Sequence, residues 1–251
     1  MTNLHTHSQS DPMQRIRILT YMMFFMFAMT SDAVGMIIPE LITEFGLSMT
    51  QASAFHYAPM ALIAFSGLFL GFLADSLGRK QTIMLGLLIF SLSCFLFAFS
   101  NSFSVFLILL CCIGLAIGLF KTGALALLGD ISASNAEHTK TMNKVEGFFG
   151  IGAIVGPALV GVLLTQNVSW TYLYIIAGVM CLILALMAWR ADYPSVVKST
   201  EKPASLATTM TMIKNPYALG FSLAIALYVA TEVAIYVWMP TLLKDYTGSW
   251  P

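Results

Sequence analysis

The chain has 251 residues and no net charge at pH 7, and 58% of its residues are apolar while only 10% are charged. Soluble domains of ordinary composition have about 45–50% apolar and about 25% charged residues, so this composition excludes a water-soluble globular protein. The even charge balance gives no indication of a nucleic-acid partner. We therefore expect the chain to lie in a lipid bilayer.

Seven apolar segments are each long enough to cross about 30 Å of hydrocarbon as a helix. Helices are expected because a lone strand would leave its backbone groups without hydrogen bonds in lipid. Numbered in chain order, the segments cover residues 18–41, 52–74, 82–99, 105–128, 145–164, 171–189 and 218–243. The predicted organisation is an N-terminal tail at 1–17, a six-helix bundle at 18–190, a flexible linker rich in Ser, Thr, Lys and Pro at 191–216, and one further helix within 217–251.

Basic residues are concentrated on one side of these segments. Lys244 alone lies in an opposite connection, and Lys121 lies inside segment 4. The remaining basic residues fall in the tail or in the connections after segments 2, 4 and 6: Arg15, Arg17, Arg79, Lys80, Lys140, Lys144, Arg190, Lys198, Lys202 and Lys214. Because cytoplasmic connections are enriched in Lys and Arg, the N-terminus and the linker are predicted to be cytoplasmic in a multi-pass protein of the inner (plasma) membrane.

Segments 1 and 7 share a weak internal similarity. Segment 1 contains Asp32 and then Pro39, and segment 7 contains Glu232 and then Pro240 at nearly the same spacing. A long linker followed by a segment similar to the first is typical of membrane proteins built from two repeated halves. We interpret the sequence as a six-helix N-terminal half plus the first helix of an incomplete second half, from a protein of about 400 residues.

The connection between segments 2 and 3 carries the most specific motif of the chain. It consists of Gly71, Asp75, Gly78, Arg79 and Lys80. Gly71 permits close helix contact, Gly78 permits a tight turn, and Asp75 can pair with Arg79. The motif resembles the signature loop of the major facilitator superfamily. That resemblance implies an all-α membrane protein with a major-facilitator-type helical bundle.

In that family the loop latches the two halves of the protein on the cytoplasmic side during alternating access. The resemblance therefore implies a gating role for the five motif residues. Asp130, at the end of segment 4, is expected to be a further partner of Arg79.

Segment 5 contains Gly152, Gly156 and Pro157, which resemble a helix-five motif of proton-coupled drug antiporters in the same superfamily. The sequence departs from that motif at Val160, where a glycine is expected. Segment 4 also departs, because Leu110 stands where many proton-coupled members have an arginine. We therefore favour a packing role for the two glycines, which allow close helix contact beside a proline kink.

Four ionisable residues lie inside apolar segments: Asp32, Lys121, Glu146 and Glu232. A charge centred in lipid costs at least roughly 2.5–3.5 kcal/mol, so such residues usually face a cavity and are candidates for binding the substrate or the coupling ion. The resemblance places segments 1, 4 and 7 around the central cavity. Lys121 and Glu146 are open to a second interpretation as a buried structural ion pair. His56, at the start of segment 2, is interpreted as an exposed histidine at a loop end.

The resemblance implies a secondary active transporter, not an enzyme, which moves a small polar, sugar-like solute together with H⁺ or Na⁺. Segments 1 and 7 most resemble the fucose–glucose–galactose proton symporter branch, through Asp32 in segment 1 and through Tyr228, Glu232, Trp238 and Pro240 in segment 7. The alternatives are a proton-coupled drug or metabolite efflux antiporter and a truncated membrane protein that does not transport. The sequence shows no catalytic constellation and no metal-ligand spacing, so neither a cofactor nor a metal is predicted.

Overall fold

The computed structural model describes residues 12–194 and 214–244, and all regular structure within them is helical. The helices are α1 (Pro12–Ser31), α2 (Val34–Phe45), α3 (Met49–Phe69), α4 (Phe72–Ser76), α5 (Arg79–Phe97), α6 (Phe103–Asp130), α7 (Asn135–Thr165), α8 (Tyr172–Arg190) and α9 (Pro216–Lys244). Most of the predicted tail and linker, and residues 245–251, lie outside the described residues.

Seven helical spans of the described chain are long and apolar enough to cross a membrane. This confirms the predicted all-α, multi-pass membrane fold. Segment 1 corresponds to α1 and α2 together and segment 2 to α3 with the short α4, while each of the other segments corresponds to one helix. α1 contacts α7 and α8, and α5 and α3 both pack on α6. The first span, Pro12–Phe45, is the most buried of the seven.

Segment 1 is not the single helix that the sequence predicted. α1 ends at Ser31 and α2 begins at Val34, so Asp32 lies at the break. The Thr30 hydroxyl donates to the Phe27 carbonyl oxygen at 2.9 Å. Hydroxyl and carboxylate side chains that bond locally compete with the backbone ladder of a helix. Such side chains are clustered where the helix is interrupted, and apolar length alone could not reveal the interruption.

α7 begins well before the predicted apolar segment. Ser134 caps the helix, because its Oγ accepts a hydrogen bond from the Glu137 backbone N–H at 3.2 Å. The first turns are polar, so hydropathy placed the start of segment 5 at residue 145, too far along the chain. α3 starts in the same way with a reciprocal capping box between Ser48 and Gln51.

The bundle has two ends, which we call the Arg79 end and the Glu40 end after one residue at each. α9 packs against α2 at the Glu40 end. There Gly35 lies so close to the Tyr236 carbonyl oxygen that an added Cβ would overlap it. Lys244 Nζ also pairs with Glu40 Oε1 at 3.2 Å. Val237 is buried, while most other residues of α9 are exposed.

Candidate functional site

Asp32 is half-buried at the break between α1 and α2. The Ser31 hydroxyl donates a hydrogen bond to Asp32 Oδ1 at 3.0 Å. The carboxylate also interacts electrostatically with Lys121 on α6 and with Glu232 on α9. The structure therefore brings two of the other predicted intramembrane ionisable residues, Lys121 and Glu232, within electrostatic range of Asp32.

The Lys121 side chain contacts an aromatic ring. Its Nζ lies 5.0 Å from the centroid of the Phe149 ring, a cation–π contact. Among the described residues, it forms neither an ion pair nor a hydrogen bond. Glu146 is exposed and acts on Lys121 only at longer range. The geometry is thus not that of a buried Lys121–Glu146 ion pair.

Glu232 lies on the exposed part of α9, and its charge acts on Tyr236 together with that of Asp32. Tyr236 therefore lies within electrostatic range of two carboxylates, one at the break between α1 and α2 and one on α9. In the part of the chain that the structure describes, no group of three or more His, Cys, Asp or Glu side chains is arranged to hold a metal ion. What the arrangement can do chemically is accept and release protons and bind a polar or charged solute.

Arg79 joins two elements at its end of the bundle. Its Nε donates to Asp130 Oδ2 at 2.9 Å, and its Nη1 donates to Asp75 Oδ1. Gly78 immediately before it has φ = 101°, a conformation that side chains other than glycine rarely adopt. The turn at Gly78 starts α5 with Arg79 pointing at both carboxylates. The α4–α5 connection is thereby attached to the end of α6.

Lys80 makes contacts that the motif did not suggest. Its Nζ donates to the carbonyl oxygens of Trp189 and Ala191, both at 2.8 Å, and it lies 5.3 Å from the centroid of the Tyr193 ring. A cation at the C-terminal end of a helix satisfies its last carbonyl groups and favours the helix dipole. Lys80 therefore joins α5 to the end of α8.

A second ion pair lies at the Arg79 end, and the sequence did not predict it. Arg17 Nη2 donates to Glu137 Oε1 at 2.6 Å and to the Ile131 carbonyl oxygen at 3.0 Å. The spacing of Ser134 and Glu137 is that of a helix-capping pair, and this could have identified the start of α7. The ion pair attaches α1 to the first turn of α7, and the bond to Ile131 attaches α1 to the connection between α6 and α7.

The glycines of segment 5 lie against α1. An added Cβ on Gly152 would overlap the Phe25 carbonyl oxygen, and one on Gly156 would overlap the Met29 carbonyl oxygen. Pro157 lies inside α7, directly after the second contact. The observed geometry is that of close helix packing.

The expectation that His56 is exposed was wrong. His56 is only 3% exposed, because the first turns of α3 are covered by neighbouring helices. Its ring meets the Tyr236 ring edge-on, with centroids 5.8 Å apart, and it borders a cavity that Tyr174 also lines. Position at a predicted loop end suggested solvent exposure, and only the tertiary packing of α3 against other helices, among them α6 and α9, shows otherwise.

Comparison with known proteins places this geometry in a family. The profile described as Major Facilitator Superfamily matches residues 20–250. The quinolone resistance protein NorA of Staphylococcus aureus (strain Mu50 / ATCC 700699) is 29% identical over 182 residues, covering 70% of this chain and 44% of NorA. The 4-hydroxybenzoate transporter PcaK of Pseudomonas putida is 24% identical over 271 residues, covering 94% of this chain and 60% of PcaK. The chain thus spans about half the length of these relatives.

Solved structures with a similar fold include two peptide transporters. An auto-inhibited POT family peptide transporter superposes with a TM-score of 0.66 at 19% identity, covering 92% of this chain and 50% of that chain. A peptide transporter POT in complex with sulfate superposes with a TM-score of 0.63 at 17% identity, covering 90% of this chain and 46% of that chain. At such low sequence identity, the similarity to these two structures shows a shared fold only. Since the family profile covers nearly the whole sequence and the helical bundle agrees with it, the chain belongs to the Major Facilitator Superfamily, a family of membrane transporters.

Proposed function

We propose that the protein carrying this sequence is a secondary active transporter in which Asp32 couples the movement of a small polar solute to that of a proton. The observation that supports this most is the position of Asp32. It lies at a helix break, half-buried, hydrogen-bonded to Ser31, and within electrostatic range of Lys121 and Glu232.

Protonation of Asp32 would change the forces between three helices. The ionised carboxylate attracts Lys121 on α6 and repels Glu232 on α9, and the neutral acid does neither. A charge change between elements that can rearrange biases the equilibrium between their arrangements. This gives one proton a physical means of favouring one orientation of the cavity over the other. Glu232 is a second candidate for the same role, and Na⁺ is the alternative coupling ion.

A sugar-like solute taken up by symport is our first choice for the cargo. Such a solute needs hydrogen-bonding groups with aromatic rings for stacking, and α9 carries an exposed Tyr228 and a half-buried Trp238 in addition to Glu232. Proton-coupled efflux is the second candidate. Gly152, Gly156 and Pro157, together with the similarity to the quinolone resistance protein NorA, favour it.

We further propose that the protein lies in the inner (plasma) membrane with the Arg79 end facing the cytoplasm. The basic residues Arg15, Arg17, Lys80 and Lys144 lie towards this end, as expected for a cytoplasmic face.

The experiment that tests the proposed function is reconstitution of the purified protein into vesicles containing a pH-sensitive dye. A solute panel of hexoses, aromatic acids and quinolones is added outside. Symport of any member acidifies the vesicle lumen, because protons enter with the solute, whereas antiport makes the lumen alkaline. Protein-free vesicles and a protonophore are the controls. Absence of a pH change with every solute, together with absence of uptake, would contradict proton-coupled transport and favour a protein that does not transport.

We also propose that the cluster of Arg79, Asp75 and Asp130 acts as a gate latch at the Arg79 end. Asp75→Asn should slow the initial rate of solute uptake by roughly fivefold, because a partly exposed charge pair contributes about 1 kcal/mol. The change keeps Arg79 and Lys80, so topology and expression should be normal. Asp192→Asn, at an exposed aspartate of the same end, is the matched control and should transport like the wild type. A wild-type rate in Asp75→Asn would leave the cluster without a gating role.

A further inference from the structure

Lys121 carries a charge deep within an apolar helix. It lies about two and a half turns before Asp130, and no other charged side chain precedes Asp130 in α6. A charge at such a depth is costly, and it usually pairs with an opposite charge or faces a water-filled cavity. Among the described residues, Lys121 forms neither an ion pair nor a hydrogen bond. Direct contact within the described chain therefore does not neutralise it.

The ammonium group of Lys121 is open to solvent. The side chain is half-buried, and within the described chain its Nζ is not one of the fully buried nitrogen and oxygen atoms that lack a hydrogen bond. In this respect it differs from His56 Nδ1 and Tyr174 Oη, which are both buried and unpaired. An unpaired ammonium group in contact with solvent can exchange its water for a ligand.

An aromatic ring of α7 forms one side of the surroundings of this ammonium group. Lys121 Nζ lies 5.0 Å from the centroid of the Phe149 ring. Gly150 follows Phe149 in the helix, and an added Cβ on it would meet nothing within 4 Å. The helix therefore leaves open space next to the ring. The arrangement offers a small anion one cation to bind and one apolar surface to pack against.

We propose that Lys121 binds a carboxylate group of the transported solute, which makes that solute a small organic acid. Lys121 Nζ donates charge-assisted hydrogen bonds to the carboxylate oxygens, and the Phe149 ring packs against the carbon skeleton of the acid. A sugar acid would combine this contact with the aromatic side chains of α9, and an aromatic acid is the other source of the same carboxylate. The inference rests on the proposed function, because it takes the occupant of the site to be the transported solute.

The carboxylates around Lys121 determine when the site accepts an anion. Lys121 interacts electrostatically with Asp32 and Glu146, while Glu232 and Tyr236 of α9 are further titratable groups near Asp32. Glu146 is exposed, so water and salt screen its charge, whereas Asp32 is half-buried. An ionised Asp32 competes with the solute carboxylate for Lys121, and a protonated Asp32 does not. A proton on Asp32 and an acid on Lys121 therefore favour each other's binding, and this reciprocal linkage leads to symport.

Equilibrium binding to the purified protein in detergent tests the site without transport. The probes are D-glucuronate with D-glucuronamide and benzoate with benzamide, so that each acid has an uncharged partner of nearly the same shape. We expect one of the acids to raise the melting temperature of the wild type, because a bound ligand stabilises the folded protein, and its uncharged partner to leave it unchanged. The dependence of the melting temperature on the concentration of the acid gives the affinity.

The affinity for that acid should fall by roughly tenfold or more in Lys121→Gln, because a hydrogen bond to a charged group is lost. Lys121→Arg keeps the charge and the contact with the ring, so it should still bind the acid. Lys140→Gln, at an exposed lysine of α7, is the matched control and should bind like the wild type. Asp32→Asn imitates the protonated carboxyl group and should bind the acid roughly threefold to tenfold more tightly, because the competing charge is gone.

The melting temperature of each variant without ligand shows whether it folds, and the comparison of each acid with its uncharged partner on the wild type needs no variant. Equal affinities of the wild type and Lys121→Gln, equal effects of an acid and its partner, or no shift with either acid would overturn the carboxylate site. Failure of the proposed coupling would be seen separately, as binding of an acid without proton movement in the vesicle assay.

Discussion

Gly156→Ala is expected to destabilise the folded bundle by about 3 kcal/mol, at the upper end of the usual effect of overpacking. The single added methyl group would overlap the Met29 carbonyl oxygen and would also press on the Cα and carbonyl carbon of that residue. Backbone atoms in the middle of a helix cannot rotate away as the end of a side chain can. The strain must therefore separate α7 from α1. Gly152→Ala should behave in the same way against Phe25.

Gly150→Ala, in the same helix, is the matched control. An added Cβ there meets nothing within 4 Å, so the change should be neutral or should stabilise the helix by up to about 1 kcal/mol. Cys94 and Cys181 are buried, which makes a thiol-reactive fluorophore a reporter of thermal unfolding. Equal melting temperatures for Gly150→Ala and Gly156→Ala would show that the close contact of α1 with α7 does not limit stability.

The parts of the fold that depend on local composition could be predicted from the sequence. Helix number and approximate position follow from apolar length, because lipid leaves few alternatives to a helix. The contact of Arg79 with Asp75 follows from their spacing of one helical turn. A small-residue motif indicated close packing for Gly152 and Gly156, although the partner helix could not be identified from it.

The parts that depend on tertiary contacts could not be predicted. His56 lies near a helix start, where exposure is the common case, and it is buried because α3 packs inside the bundle, where the Tyr236 ring of α9 lies against it. Lys121 and Glu146 are at suitable depths for an ion pair, yet the Lys121 side chain turns towards Phe149 instead. The break at Asp32 lies at the polar residues Thr30, Ser31 and Asp32, within a segment whose overall apolar length predicted a single helix. The burial of His56, the contact of Lys121 and the break at Asp32 all depend on the direction in which side chains point. Hydropathy gives no information about that direction.

Asp32→Asn should reduce solute-driven proton movement to the level of protein-free vesicles while the protein still inserts and folds. Asparagine has nearly the same shape as aspartate and can still accept the hydrogen bond from Ser31. It carries no charge and does not titrate, so it cannot change the attraction of Lys121 or the repulsion of Glu232 between steps of the cycle. Exchange of labelled for unlabelled solute needs no net proton movement and should remain measurable.

Comparing proton movement with solute exchange distinguishes a role of Asp32 in coupling from a role in solute binding. Loss of both solute exchange and proton movement in Asp32→Asn would show that Asp32 is needed for solute binding or for folding. The melting temperature of the variant distinguishes a binding defect from a folding defect. Glu44→Gln, at an exposed carboxylate of α2, is the control and should retain both activities. Glu232→Gln tests the second candidate under the same conditions. If proton movement stays at the wild-type level in both Asp32→Asn and Glu232→Gln, neither carboxylate carries the coupling proton, and the coupling mechanism proposed for the break between α1 and α2 is wrong.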